Sequence, residues 1–218
     1  FLLTNQVATG LGLTMFGLGL SSLIGQDAVG SPDLTVAKLS FPILSDIPVL
    51  GPILFRHDLM VYLSIAIVAG VWAFLKYSRA GLILRAVGEN HEAAHALGYN
   101  VRRVRVLAIV FGGACAGLAG AYISLVRVPQ WIDGITAGAG WIALAIVVFA
   151  SWKPWRLIAG AYLFGGVTVL QLNLQAEGLK IPVEYLSMAP YLATIIVLVM
   201  IRAGRAPASL GKPFHPSS

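Results

Sequence analysis

The chain is short of charge. Of its 218 residues only 11% are Asp, Glu, Lys or Arg, against 58% hydrophobic. A soluble domain carries about a quarter charged residues. So little charge cannot cover a globular surface, and the chain reads as an integral membrane protein. Cysteine is almost absent. Cys115 stands alone in an apolar run, which excludes an intrachain disulfide framework. Acidic residues are also scarce, 9 against 15 Lys and Arg, for a net charge of +6. In a soluble protein that excess would suggest nucleic acid; here it is the expected flank of membrane spans, and no nucleic-acid partner is expected. No cleavable signal peptide is visible in these residues. Nor is a phosphate-binding G-x-x-x-x-G-K-[ST] loop, since Gly211-Lys212-Pro213 lacks both the upstream glycine and the hydroxyl. No cofactor is expected, and any ATP hydrolysis that serves this chain would belong to another one.

What is present is a series of Leu, Ile, Val, Ala and Gly runs. A helix crosses the hydrocarbon core with about 20 apolar residues. Six segments come close: 5–25, 58–76, 104–126, 136–152, 156–174 and 189–204. The ten-residue alternation of a membrane β-barrel is absent, so the expected fold class is all-α, a polytopic membrane protein. Sequence repeats and soluble domains are not seen. The chain opens on Phe1 and enters a span at once, so an N-terminal portion is expected to precede it.

Charge orients these spans. With segment 77–103 in the cytoplasm, eleven of the 15 Lys and Arg lie inside, and 38, 56, 127 and 180 lie outside. That bias sets the orientation. The proline-rich loop 26–57 is then outside and the tail 206–218 inside. Trp72, Trp152 and Trp155 fall near the inner interface, as aromatic-belt residues do.

Segment 77–103 is the one long polar interruption. Asn90 is placed to cap a helix starting at His91. Glu92 would sit in its first turn, favourable at the positive end of the dipole. Gly98 would end it in a left-handed conformation, and Asn100 would cap the next helix. That leaves about two turns. Ala93, Ala94 and Leu97 fall on one face by spacing, and two alanines there would let a partner approach the backbone closely. The bland reading is a polar connector.

Glu92-Ala93-Ala94-x-x-x-Gly98 resembles the EAA-x-x-x-G signature of permease subunits of binding-protein-dependent ABC importers. The wider string from Arg85 to Gly98, then Asn100-Val101 and Arg103-Val104-Arg105, resembles the permease family of ribose, branched-chain amino acid and nucleoside importers. SDIPVLGPILF (45–55), GGACAGLAGAY (112–122), TAGAGWIALAIVVFASWKPW (136–155) and MAPYLATIIVLV (188–199) resemble its nucleoside or purine sub-branch. Two positions depart from the pattern: His91, where proline is common, and His95. The resemblance spans essentially the whole chain and implies further spans before Phe1. It implies coupling to an ATPase through Glu92, Ala93, Ala94, Leu97 and Gly98. The implied partners are a cytoplasmic ABC ATPase subunit, a second permease subunit (homologous or identical), an extracytoplasmic substrate-binding lipoprotein and membrane lipids. Transport of a sugar or a branched-chain amino acid is the alternative within the family.

A reading from a different class sits in the same segment. His91-Glu92-Ala93-Ala94-His95 matches H-E-x-x-H, the motif of membrane and soluble zinc proteases. Catalytic zinc needs a third protein ligand. His57 is expected across the membrane, Glu89 precedes the cap on another face, and His215 lies in a Pro/Ser tail, so no metal is expected.

No span has Lys, Arg, Asp or Glu at its middle, which argues against a proton- or sodium-coupled carrier and suits a neutral solute. Uncharged polar residues remain as a candidate solute path. Gln6, Thr9 and Thr14, with Ser21 and Ser22, lie along the first span; Gln171, Asn173 and Gln175 lie near the outer end of the fifth. The bland reading is interhelical hydrogen bonding. The small residues Gly113-x-x-x-Gly117 and Ala116-x-x-x-Gly120 suggest close helix packing within the chain.

Overall fold

A computed structural model of the chain describes residues 5–28, 57–128, 130–136, 138–177 and 206–214, with Met188, Leu192, Ile195, Ile196 and Val199 singly. Its elements are helices. Helix α1 is Gln6–Gly25, followed by a 3-10 turn Gln26–Ala28. Then come α2 (Leu59–Tyr77), α3 (Arg79–Glu89), α4 (His91–Ala96), α5 (Val101–Tyr122, continued by the π-helical turn Ile123–Arg127), α6 (Ala139–Phe149) and α7 (Pro154–Ala176).

Among the described residues, four helical stretches are long and apolar enough to cross a membrane: Gln6–Gly25, Leu59–Tyr77, Val101–Arg127 and Pro154–Ala176. They coincide with the expected spans 5–25, 58–76, 104–126 and 156–174. The protein is a helical multi-pass membrane protein. Local chemistry sets the starts. The Asn5 side chain accepts from the Val7 and Ala8 N–H groups at 3.0 and 3.3 Å, and Pro154 occupies the first turn of α7, where its missing N–H costs nothing.

The expected span 136–152 is corrected. Only α6 forms there, 11 residues long, which is about 16 Å of helix against a core of about 30 Å. Gly138 stands before it in a left-handed conformation at φ 80°. Beyond it Ser151 and Trp152 both take positive φ, 50° and 62°. The Ser151 N–H bonds Val148 O and the Trp152 N–H bonds Val147 O, at 3.0 and 3.3 Å, so the chain turns directly after α6, three residues short of the expected end. The expected span 189–204 and nearly all of loop 26–57 lie outside the described residues, apart from the few positions named above.

The chain divides into two compact units, one of Phe1–Ile67, Ile83–Ala137 and Gly211–Ser218, the other of Val68–Leu82 and Gly138–Leu210. In the second unit α6 and α7 pack as a hairpin. Gly160 is buried where a Cβ would run into the Phe149 ring and Ile146. At the end of α2, the Lys76 ammonium lies 4.8 Å from the Trp72 ring and 5.1 Å from that of Tyr77, an arrangement suited to a membrane interface. Close packing within the chain at the small residues of α5 is not found: a Cβ at Gly113, Gly117 or Gly120 would meet nothing within 4 Å among the described residues.

Candidate functional site

Segment 77–103 folds into α3 and α4, joined by tight corners. Helix α3 is not anticipated from the charge pattern. Ser78 starts it: the hydroxyl donates to Phe74 O at 2.7 Å and accepts from the Gly81 N–H at 2.8 Å. Helix α4 is capped as its residues dictate. The Asn90 side chain, on extended backbone (φ −147°), accepts from the Glu92 and Ala93 N–H groups at 3.1 and 3.0 Å. At the other end Gly98 takes φ 86°. Its N–H bonds His95 O at 2.8 Å, and the Tyr99 N–H bonds Ala94 O at 3.1 Å. This paired closure is the Schellman motif. Asn100 then accepts from the Arg103 N–H at 3.0 Å and starts α5.

A helix of six residues is not stable alone. This one is held by a small core. Val87 of α3, Ala94 of α4 and Val101 of α5 are buried together, with Ile83, Val104 and Phe214 packed against them. Burying a valine contributes about 1.5–3 kcal/mol, so the two valines fasten α4 to both neighbours. The shared face expected for Ala93, Ala94 and Leu97 is therefore split. Ala94 is only 3% exposed and points into the core, whereas Leu97 is 77% exposed. Glu92, Ala93, Ala96 and Gly98 are exposed with Leu97. Close approach of a partner is open at Ala93 and shut at Ala94.

The tail supplies the other half of this core. The Arg105 guanidinium donates to Lys212 O at 3.0 Å and lies 3.2 Å from His91 Nδ1. A guanidinium only donates, so in this contact Nδ1 can serve only as the acceptor. The Phe214 ring stands edge-on to both His91 and His95, with centroids at 5.5 and 5.2 Å. These contacts hold the tail against α4 and α5 as far as Phe214. Both histidines of the H-E-x-x-H match face the Phe214 ring and His91 also faces the Arg105 cation, surroundings that suit an aromatic contact rather than a bound metal. Among the described residues no group of three His, Cys, Asp or Glu could hold a metal ion.

The candidate path residues fall in different units. Gln6, Thr9 and Thr14 are exposed on α1. The Thr9 hydroxyl donates back to Asn5 O and that of Thr14 to Gly10 O, both at 2.9 Å. On α7, Gln171 and Gln175 are half-buried and Asn173 is exposed. The residue that sequence reasoning missed is Trp131, packed onto the end of α1 at Gly25. Its signal was a tryptophan between Pro129 and Asp133, in a stretch read only as a loop.

Residues 1–202 match the model of a family described as branched-chain amino acid transport system, permease component. The chain is 39% identical over 217 residues to the provisionally named glucose ABC transporter permease protein TsgC13 of Haloferax volcanii, covering 89% of this chain and 66% of that one. It is 37% identical over 180 residues to the nucleoside ABC transporter permease protein NupC of Lactococcus lactis, covering 81% and 54%. It is 32% identical over 222 residues to the guanosine ABC transporter permease protein NupQ of Bacillus subtilis, covering 96% and 69%. The chain thus spans from about half to two thirds of the length of these relatives. No solved structure matches it.

Proposed function

This chain belongs to the permease-component family of branched-chain amino acid transport systems, and on that premise we propose that it forms part of the translocation path of an ABC importer for a nucleoside or related purine. Segment 77–103 faces the cytoplasm and α4 docks in an ATPase subunit. A second permease, identical or homologous, completes the path, and a substrate-binding lipoprotein delivers the solute from outside. ATP is hydrolysed by the partner; this chain transmits the motion. Gln6, Thr9, Thr14, Gln171, Asn173 and Gln175 are the polar residues proposed to line the path.

One observation carries the reading. Helix α4 is capped at both ends and fastened to α3 and α5 through Val87, Ala94 and Val101. Its exposed surface is Glu92, Ala93, His95 and Ala96, continued by the C-cap residue Leu97. A rigid short helix with a small-residue face is suited to a groove, because its neighbours must move with it. The nucleoside and guanosine names of two relatives support the solute. The 39% identity to a protein named for glucose favours a sugar as the second reading.

Two measurements test this. Cells lacking their own nucleoside and glucose uptake, supplied with the whole transporter, are expected to take up labelled guanosine and not labelled glucose. Ala93→Trp is expected to insert normally but fail to retain the ATPase subunit during purification. Normal ATPase retention and uptake in Ala93→Trp would reduce α4 to a connector.

A further inference from the structure

We propose that Trp131 and the last turns of α1 form an entry subsite that stacks the base of the incoming nucleoside. The proposal rests on the nucleoside reading above and assigns a place within it.

Gly25 is the one buried residue of α1. The Trp131 indole lies across it, occupying the space a Cβ at position 25 would take. Glycine is what permits this approach. Beside the indole is a shallow, widely open depression of about 400 Å³ lined by Gly17, Leu20, Ser21, Ile24, Gly25 and Trp131. That volume falls in the range of small-molecule sites, about 300–1,000 Å³. The lining positions recur at helical spacing, so they form one stripe. From Gly25 back to Gly17 it runs about 12 Å, from the proposed outer end of the span towards its middle. The depression is almost wholly apolar, with an aromatic ring beside aliphatic surface from Leu20 and Ile24, and Ser21 lies at its lining. That is surface on which the face of a flat aromatic group can stack while its polar edge stays in the open. Base–aromatic stacking supplies affinity without demanding a particular base.

The test uses whole cells carrying the complete transporter with Ser21→Cys in a Cys115→Ser background. An impermeant maleimide added outside is expected to label position 21, and guanosine is expected to slow labelling while ribose does not. Trp131→Phe should preserve the protection. Trp131→Ala should raise the half-protecting guanosine concentration at least about fivefold, the weaker end of what one stack contributes. If Trp131→Ala fails to insert, Trp131→Leu, which keeps apolar bulk without a π face, reads the same quantity. No labelling from outside, equal protection by ribose, or protection that survives the loss of the ring would each overturn the subsite. Guanosine uptake by the same cells separates the two claims. Uptake without protection removes the subsite alone; glucose uptake without guanosine uptake removes the nucleoside reading.

Discussion

Position 98 offers a clean perturbation of α4, because backbone conformation is the only thing that changes there. Gly98 stands at φ 86°, and a Cβ added to it would meet nothing within 4 Å. Steric crowding therefore contributes nothing, and the cost of a side chain is that of holding an L-residue in the left-handed region. That cost is about 1–2 kcal/mol for an ordinary residue, smaller for Asn and larger for a β-branched one. The order of tolerance should be Gly, then Asn, then Ala, then Val. The closure at stake consists of two hydrogen bonds, Gly98 N–H to His95 O and Tyr99 N–H to Ala94 O. Their exchange with deuterium reports how often the end of α4 opens. A loss of 1–2 kcal/mol corresponds to about a 5–30-fold rise in the open population, so Gly98→Ala should accelerate exchange by roughly that factor and Gly98→Val by more. Asn90→Ala, which removes the opposite cap, should cost about 1 kcal/mol. Uptake should fall in the same order, because a frayed helix transmits motion poorly. Exchange and uptake that are equal in the Asn, Ala and Val variants would show that the left-handed closure has no role in coupling.

Three further outcomes follow from the geometry. Single cysteines at Asp27 and His95, in a Cys115→Ser background, should label with impermeant reagents from outside and inside respectively; labelling of both from one side would sink the topology. Gly160→Val should push the Phe149 ring away and destabilise the α6–α7 hairpin by about 1–3 kcal/mol, read as a lower Tm of the purified protein; pairing it with Phe149→Ala should recover part of the loss, and no change in Tm would contradict the hairpin packing. His95→Gln should leave uptake intact, and metal analysis of the purified transporter should give no stoichiometric zinc; bound zinc lost on that substitution would reopen the protease reading.

What was legible in the sequence was local. Asn90, Gly98 and Asn100 act on backbone groups within a few residues of themselves, so their capping roles follow from residue type and spacing. Four spans were legible for the same reason, since hydropathy sums along one stretch. Helix α3 was hidden because Arg79, Arg85 and Glu89 drew attention to charge, while its i, i+4 pair Ile83 and Val87 carried the signal. The length of α6 was hidden because composition does not report φ. Ser151 and Trp152 are unusual residues for a left-handed turn, and Pro154 announces a break near 153 without announcing how short the helix before it is.

The orientation of α4 was hidden for a different reason, and it changes what the signature means. Ala93 and Ala94 are equivalent in sequence, both small and both helix-forming. They are separated only by partners elsewhere in the chain: Val87 before them, Val101 and Phe214 after. Ala94 is small because α3, α5 and the tail need to close over it; Ala93 is small because its side of the helix is open. A six-residue helix has too little internal stability to transmit a load by itself. With Ala94 locked between Val87 and Val101, a force applied at Glu92, Ala93 or Leu97 passes into α3 and α5 rather than unwinding α4. A bulky residue at 93 should therefore abolish docking in a folded protein. The same residue at 94 should break the core that makes docking useful.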